Sequence, residues 1–351
     1  MARVRDRERA DHPDAGRAAR ALAGGVEQVP PIESIRELYL EVTNRCNSLC
    51  QTCPLTFGPH EAERDLSVDE LRHVVEQCPG LERVVLHGIG EPLLNRELPG
   101  MIRWLADRGL QTVFNTNAIA LSERRGDRIV EAGLDILRIS IDGATRATYA
   151  LLRGVDALDK VLANTRAFRR RHPAAPDCEV FFTCSRANLH ELPDLIRLVA
   201  QIGIPALNVQ RLVYWEQGMA REELALYRDL SQQEAALLDE ARTAAEREGV
   251  RLKASGGTDP ESSLSGRIKP RGEGCARPWN LVYVTCHGSL LPCCISPFTG
   301  VPFEQLVLGN VLEQPLAELW ANGRYQRLRA GLSGDQPEHP ACSGCGERWP
   351  Y

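Results

Sequence analysis

Glu41-Val42-Thr43-Asn44-Arg45-Cys46-Asn47-Ser48-Leu49-Cys50-Gln51-Thr52-Cys53-Pro54 sets three cysteines at x3 and x2 spacing on one stretch, directly after an apolar run at 37–42. Downstream, further runs rich in Val, Ile, Leu and Phe recur at 83–87, 112–115, 136–141, 179–184 and 206–210. Each has the length and β-branched content of a buried strand. Between them lie stretches with helical periodicity at 98–108, 122–132, 158–172 and 192–202, and a helix start at Ser67, whose capping partner Glu70 stands three residues on. Six β-then-α units in a row imply an α/β fold with parallel strands and right-handed crossovers, as an open doubly wound sheet or as a barrel that six units leave incomplete. In either case ligands gather at the carboxyl ends of the strands, so the cysteine stretch falls on the face where chemistry is expected.

Three thiolates on one short loop can hold three irons of a 4Fe-4S cube and leave the fourth iron open to a ligand from outside the chain. The competing reading is a structural zinc site, which needs a fourth protein ligand, and His60 is the nearby candidate. The rest of the cysteine distribution points to metal or redox chemistry as well. Of 12 cysteines, Cys275, Cys286, Cys293, Cys294, Cys342 and Cys345 cluster late, and only Cys78, Cys178 and Cys184 lie between the two groups. The N-terminus lacks the apolar core of a signal peptide and no apolar run approaches the roughly 20 residues of a membrane span, so a reducing cytoplasmic setting without disulfides is expected. A net charge of -5 and a pI near 6.0 offer no broad attraction for a phosphate backbone, which argues against nucleic acid as a partner.

The chain divides into four stretches. Residues 1–30 are rich in Arg, Ala, Asp and Gly and read as a mobile tail; 31–215 carry the βα units; 216–274 read as a helical linker ending in a Gly/Ser/Pro-rich connection; 275–351 form a small unit that needs a staple, with one helix predicted over 316–328.

The Cys-x3-Cys-x2-Cys loop after the first strand resembles the signature of the radical S-adenosylmethionine (SAM) superfamily, and His87-Gly88-Ile89-Gly90-Glu91-Pro92 resembles that family's Gly-Gly-Glu-Pro segment. The resemblance implies a partial (β/α)6 TIM-like barrel. It also implies a SAM-binding 4Fe-4S cluster on Cys46, Cys50 and Cys53, and reductive cleavage of SAM to a 5'-deoxyadenosyl radical that abstracts hydrogen from substrate. An electron donor such as flavodoxin or ferredoxin would serve it. Gly90 and Glu91, the latter toward SAM's amino group, Asn117 after the third strand, Ser140 and Asp142 after the fourth and Asn188 after the fifth stand where family members line the SAM pocket.

Cys275-Ala276-Arg277-Pro278-Trp279, Gly288 to Cys293 and Cys342-Ser343-Gly344-Cys345 resemble the auxiliary-cluster domain called SPASM in its shortened twitch form. That resemblance implies an auxiliary 4Fe-4S cluster on Cys275, Cys293, Cys342 and Cys345. Read on spacing alone, these four fit a zinc ribbon equally well. Cys286 and Cys294 are left over: Cys294 adjoins a ligand and either packs there or, like Cys286, is a candidate hydrogen donor to a substrate radical, while Cys178 and Cys184 read as core residues. The layout resembles dehydrogenases of aminosugar antibiotics, so the expectation is net oxidation of a small sugar-like or natural-product substrate. Ribosomal-peptide modification and redox-neutral epimerisation or decarboxylation are the alternatives among enzymes, and a zinc-binding interaction protein is the alternative outside them.

Overall fold

The computed structural model describes residues 29–58, 60–226, 230–254, 259–265, 275–334 and 339–343. Where the apolar runs fall, six strands form: β1 (Glu37–Leu40), β2 (Arg83–Leu86), β3 (Gln111–Thr116), β4 (Ile136–Ser140), β5 (Asp177–Cys184) and β6 (Ala206–Arg211). All pair in parallel with their sequence neighbours. The crossovers are α1 (Val68–Glu76), α2 (Leu98–Asp107), α3 (Glu123–Glu131), α4 (Arg146–Arg153), α5 (Leu158–Arg171) and α6 (Leu192–Gln201). α1 starts as its sequence dictates, with the Ser67 hydroxyl accepting the Glu70 amide and the Glu70 carboxylate accepting the Ser67 amide at 2.8 Å. α4 is an addition that the periodicity analysis passed over, a two-turn helix wedged into the β4–α5 connection.

The sheet extends beyond six strands on both sides. The stretch 216–274, expected to be a helical linker, holds α7 (Gln232–Glu248) and then β7 (Arg251–Ala254), which pairs in parallel with β6. Its Arg-Leu-Lys-Ala sequence hides it: four residues with two charges lack the apolar content of a buried strand. β8 (Leu281–Val284), from the C-terminal region, pairs in parallel with β1, and β9 (Ser289–Leu291) and β10 (Gly309–Asn310) follow in antiparallel. The order is β10-β9-β8-β1-β2-β3-β4-β5-β6-β7, a partial TIM-like barrel continued by the C-terminal domain. The helix expected over 316–328 is two helices, α8 (Leu316–Ala321) and α9 (Gly323–Ser333). Asn322 separates them in extended conformation, caps α9 by accepting the Tyr325 amide at 2.8 Å and donates to Leu308 O at 2.9 Å. Unbroken apolar spacing concealed that break.

The core lies between strands and helices and is continuous from Ile35 and Leu38 through Phe114, Tyr149 and Phe182 to Trp320 and Tyr325. Cys178 and Cys184 are buried in it as expected, and Cys78 is buried there too. Among the described residues no helix is long and apolar enough to cross a membrane.

α4 ends on Gly154 in the left-handed region, φ 65°, where a Cβ would meet Leu49 O at 2.1 Å. Gly154→Ala therefore carries both backbone strain and a clash with the cysteine loop. It should destabilise the fold by more than about 1–2 kcal/mol, read as a fall in the urea midpoint; an unchanged midpoint would contradict the packing of α4 against this loop.

Candidate active site

After β1 the chain turns across the mouth of the barrel, and main-chain hydrogen bonds from three sides hold it there. The Leu49 and Gln51 amides donate to Arg153 O and Leu152 O at 3.1 and 2.8 Å, the Glu91 amide donates to Arg45 O at 2.8 Å, and the Met219 amide donates to Gln51 O at 2.7 Å. Gly88 and Gly90 are required by this packing. A Cβ on Gly90 would stand 2.0 Å from Thr43 O and one on Gly88 2.2 Å from the Glu41 carboxylate. Their small size serves the approach of chain to chain.

Each thiol then meets the end of a different element. Asn117 Nδ2, just past β3, lies 3.8 Å from Cys46 Sγ; Arg153 Nη1, at the end of α4, lies 3.5 Å from Cys50 Sγ; Cys53 Sγ lies 4.0 Å from Ile89 O, after β2. Burial, then the charges of Glu91 and Cys50, push the Cys46 thiol up to about 12, and burial and Cys50 push Cys53 higher. Thiols in such surroundings become thiolates when a cation offsets the desolvation, as bound iron does. No three His, Cys, Asp or Glu side chains among the described residues converge on a point that could hold one metal ion. His60, the fourth ligand a zinc site would need, is instead stacked on Phe303 at 5.1 Å. Three spread thiols at a cavity wall fit the corners of an iron-sulfur cube better than a mononuclear site.

The cavity behind them measures about 330 Å³, within the usual range of small-molecule sites. Cys46, Cys50 and Cys53 line it together with Gly90, Glu91, Asn117, Ser140 and Asp142, so the residues expected around the SAM-binding cluster converge apart from Asn188. Asn188 is fully buried outside this lining: its Oδ1 accepts from the Ser185 amide and its Nδ2 donates to Asp142 O and Thr183 O, so it staples the turn after β5. Glu91 lines the cavity with its carboxylate largely spent, accepting from Thr116 Oγ1 and the Asn117 amide at 2.7 Å each and from the Leu93 amide at 3.1 Å. One acceptor position remains for an incoming ammonium.

Sequence reasoning missed Arg153. Its guanidinium is buried, paired with Asp142 at 2.8 Å and turned toward Cys50, and Asp142 in turn accepts the Thr183 amide at 2.8 Å. An arginine at the C-terminus of a helix is ordinary in sequence, and only its contact with the cysteine loop reveals a role. It missed as well the charges of the barrel lumen, Glu37, Arg83, Arg138, Glu179 and Lys253, which line the same cavity. Arg138, inside Ile-Leu-Arg-Ile-Ser, was the available signal: a charge interrupting a buried strand.

The C-terminal region closes the cavity with Arg277, Cys294, Ile295 and Phe298. Of the two left-over thiols only Cys294 reaches it; Cys286 is fully buried away from it, its amide 3.4 Å from Glu41 Oε1. Cys275 and Cys293 both act on the Tyr325 phenol, whose pKa is raised by burial and by their charges. Among the described residues that buried hydroxyl has no hydrogen-bond partner, as befits a donor placed beside a group that sulfur ligands hold. Cys342 packs against the core, and Cys345 lies outside the described residues.

Burial, then the charge of Arg138, push the cavity-lining His87 imidazole down to about 4. The unfolded chain takes up this proton near pH 6.5, so the contribution to stability is full above about 6.5 and declines as pH falls toward 4. His87→Gln should remove on the order of 1–2 kcal/mol of the acid-side loss, measured from urea midpoints at neutral and acidic pH. Equal pH slopes for the two proteins would contradict a neutral imidazole beside Arg138.

Residues 40–199 match the model of the radical SAM superfamily, and residues 275–346 match that of SPASM, an iron-sulfur cluster-binding domain. Over 343 residues, 89% of this chain and 91% of the relative, the sequence is 26% identical to an AdoMet-dependent heme synthase of Methanosarcina barkeri. It is 24% identical to a PqqA peptide cyclase of Bradyrhizobium diazoefficiens over 304 residues, covering 83% of this chain and 74% of that one. The fold is similar to Streptococcus suis SuiB bound to S-adenosylmethionine, with a TM-score of 0.68 at 15% identity over 90% of this chain and 72% of that chain.

Proposed function

The chain is a radical SAM enzyme with a C-terminal SPASM domain, and from that premise we propose that it oxidises a small hydroxylated metabolite held between the cysteine loop and the SPASM region. One observation carries this reading: a single cavity is lined by Cys46, Cys50 and Cys53 on one side and by Arg277, Cys294 and Phe298 on the other. When bound, the loop cluster and SAM supply a 5'-deoxyadenosyl radical that removes a hydrogen atom, and the auxiliary cluster supplies an acceptor for the second electron.

The residues of the chain set the terms of that chemistry. Cys46, Cys50 and Cys53 hold the SAM-binding cluster, and Arg153 offsets the negative charge that collects beside Cys50. Gly90, Glu91, Asn117, Ser140 and Asp142 form the wall that receives the cofactor, with the remaining acceptor position of Glu91 available to its amino group. Cys275, Cys293, Cys342 and Cys345 hold the auxiliary cluster, with the Tyr325 hydroxyl as donor beside it. Phe298, Ile295 and Leu55 supply apolar cover that keeps water from the reacting carbon. A one-electron donor of the flavodoxin or ferredoxin type and a cytoplasmic location complete the reading.

A second reading, modification of a peptide, is favoured by the similarity to PqqA peptide cyclases along most of the chain. The two separate on a substrate screen: under anaerobic conditions with dithionite and SAM, hydroxylated metabolites should raise 5'-deoxyadenosine formation and short peptides should not. Replacing Cys46, Cys50 and Cys53 together with alanine should lower 5'-deoxyadenosine formation at least about 100-fold, measured by chromatography. Cleavage retained in that variant would contradict the assignment.

A further inference from the structure

The three loop sulfurs are served unequally by hydrogen-bond donors. Cys46 and Cys53 take neutral backbone donors, the Ser48 and Leu55 amides. Asn117 Nδ2 lies 3.8 Å from Cys46 Sγ but gives its shorter contact, 2.8 Å, to Asn47 Oδ1. Beside Cys53 Sγ stands the Ile89 carbonyl at 4.0 Å, which has no proton to offer a thiolate. Ser48 Oγ is 3.4 Å from Cys50 Sγ, yet it donates its one proton to Arg153 O at 2.8 Å. Cys50 has Arg153 Nη1 at 3.5 Å, and among the donors named this is the only cation.

The guanidinium is held in that place from two directions. Its own carbonyl accepts the Leu49 amide at 3.1 Å as well as the Ser48 hydroxyl, which ties the residue to the loop it serves. Arg153 Nε lies 2.8 Å from Asp142 Oδ2, and the two side chains are only 11% and 7% exposed. The Nε–H is not aligned for a hydrogen bond, so the hold is one of charge on charge. Asp142 is fixed in turn by the Thr183 amide at 2.8 Å. A guanidinium stays protonated throughout the working pH range, and a buried charge is screened little by salt.

A loop cluster that takes up one electron gains one unit of negative charge. Hydrogen bonds to sulfur and neighbouring positive charge favour that reduced state, and cluster potentials follow them. We propose that Arg153, acting through Cys50, is a positioning residue that raises the reduction potential of the loop cluster, and that Asp142 limits the rise. The electron comes from a donor of the flavodoxin or ferredoxin type, which is oxidised by one electron as the cluster is reduced. This deepens the proposed function and rests on its assignment of a cluster to Cys46, Cys50 and Cys53.

The test is a redox titration of the anaerobically reconstituted holoprotein, without SAM, followed by electron paramagnetic resonance. The variant with Cys46, Cys50 and Cys53 replaced by alanine supplies the auxiliary cluster's share of the spectrum, and the difference belongs to the loop cluster. Arg153→Gln should lower the loop-cluster midpoint by at least about 59 mV, a tenfold fall in the ratio of reduced to oxidised cluster at fixed potential. Arg153→Lys, which keeps the charge and loses the planar fork, should recover part of that loss. Asp142→Asn should move the midpoint the opposite way. Iron and sulfide content of each variant separates loading from potential: a merely structural role would lower loading in all three and leave the midpoint of the loaded cluster in place.

An unmoved midpoint in loaded Arg153→Gln, no recovery by lysine, or shifts of the same sign in Arg153→Gln and Asp142→Asn would each overturn the inference. Where Arg153→Gln does not load the loop cluster, Asp142→Asn decides: a rise upholds the inference and no rise overturns it. The wild-type spectrum keeps the two levels apart. A loop-cluster signal whose midpoint ignores these substitutions sinks this inference alone, and a spectrum identical to that of the alanine variant sinks the function on which it rests.

Discussion

A buried guanidinium, Arg153, stands between the Asp142 carboxylate and the Cys50 sulfur, and much of the active-site geometry depends on that arrangement. The same residue offers its carbonyl to the Leu49 amide and the Ser48 hydroxyl, so the end of α4 and the middle of the cysteine loop move as one piece. Gly154 makes the approach possible and Asp142 ties it to the ends of β4 and β5 through the Thr183 amide. Breaking one side of a buried ion pair costs several kcal/mol. The positions of Cys46, Cys50 and Cys53 are thus fixed by the barrel and not by the loop's own preferences.

The second anchor is Glu41. It is buried, its pKa raised by desolvation, and it accepts from the Ile89 amide at 2.8 Å while the Cys286 amide lies 3.4 Å away. One carboxylate therefore joins the end of β1, the Gly88–Glu91 segment and the turn after β8. Through that junction the SPASM region is held against the barrel, and Cys294 and Arg277 face the cavity that the cysteine loop opens into. The cysteine loop and Cys294 of the C-terminal region thereby share the lining of one cavity.

How much of this was legible depended on whether the signal was local. The six strands and five of the crossover helices followed from apolar runs and from caps such as Ser67 with Glu70, because buried parallel strands leave continuous hydrophobic stretches. The cysteine spacing and the Gly-Ile-Gly-Glu segment placed the catalytic face for the same reason. β7 escaped because two of its four residues are charged, one of them, Lys253, lining the cavity, and the break at Asn322 escaped because apolar spacing runs through it. Arg153 and the lumen charges are products of register and crossover geometry, in which residues from five strands meet without any sequence neighbourhood in common. Asn188 shows the converse: a residue type suited to ligand binding, placed after a strand, spends its hydrogen bonds on its own turn and on Asp142 O.

The central claim is that three loop thiolates hold a 4Fe-4S cluster whose remaining iron faces the cavity and takes SAM directly. Electron paramagnetic resonance of a variant with Cys275, Cys293 and Cys342 replaced by serine isolates the loop cluster in its reduced state. The account expects one reduced-cluster signal whose g-values shift when SAM is added. A signal identical with and without SAM would contradict it.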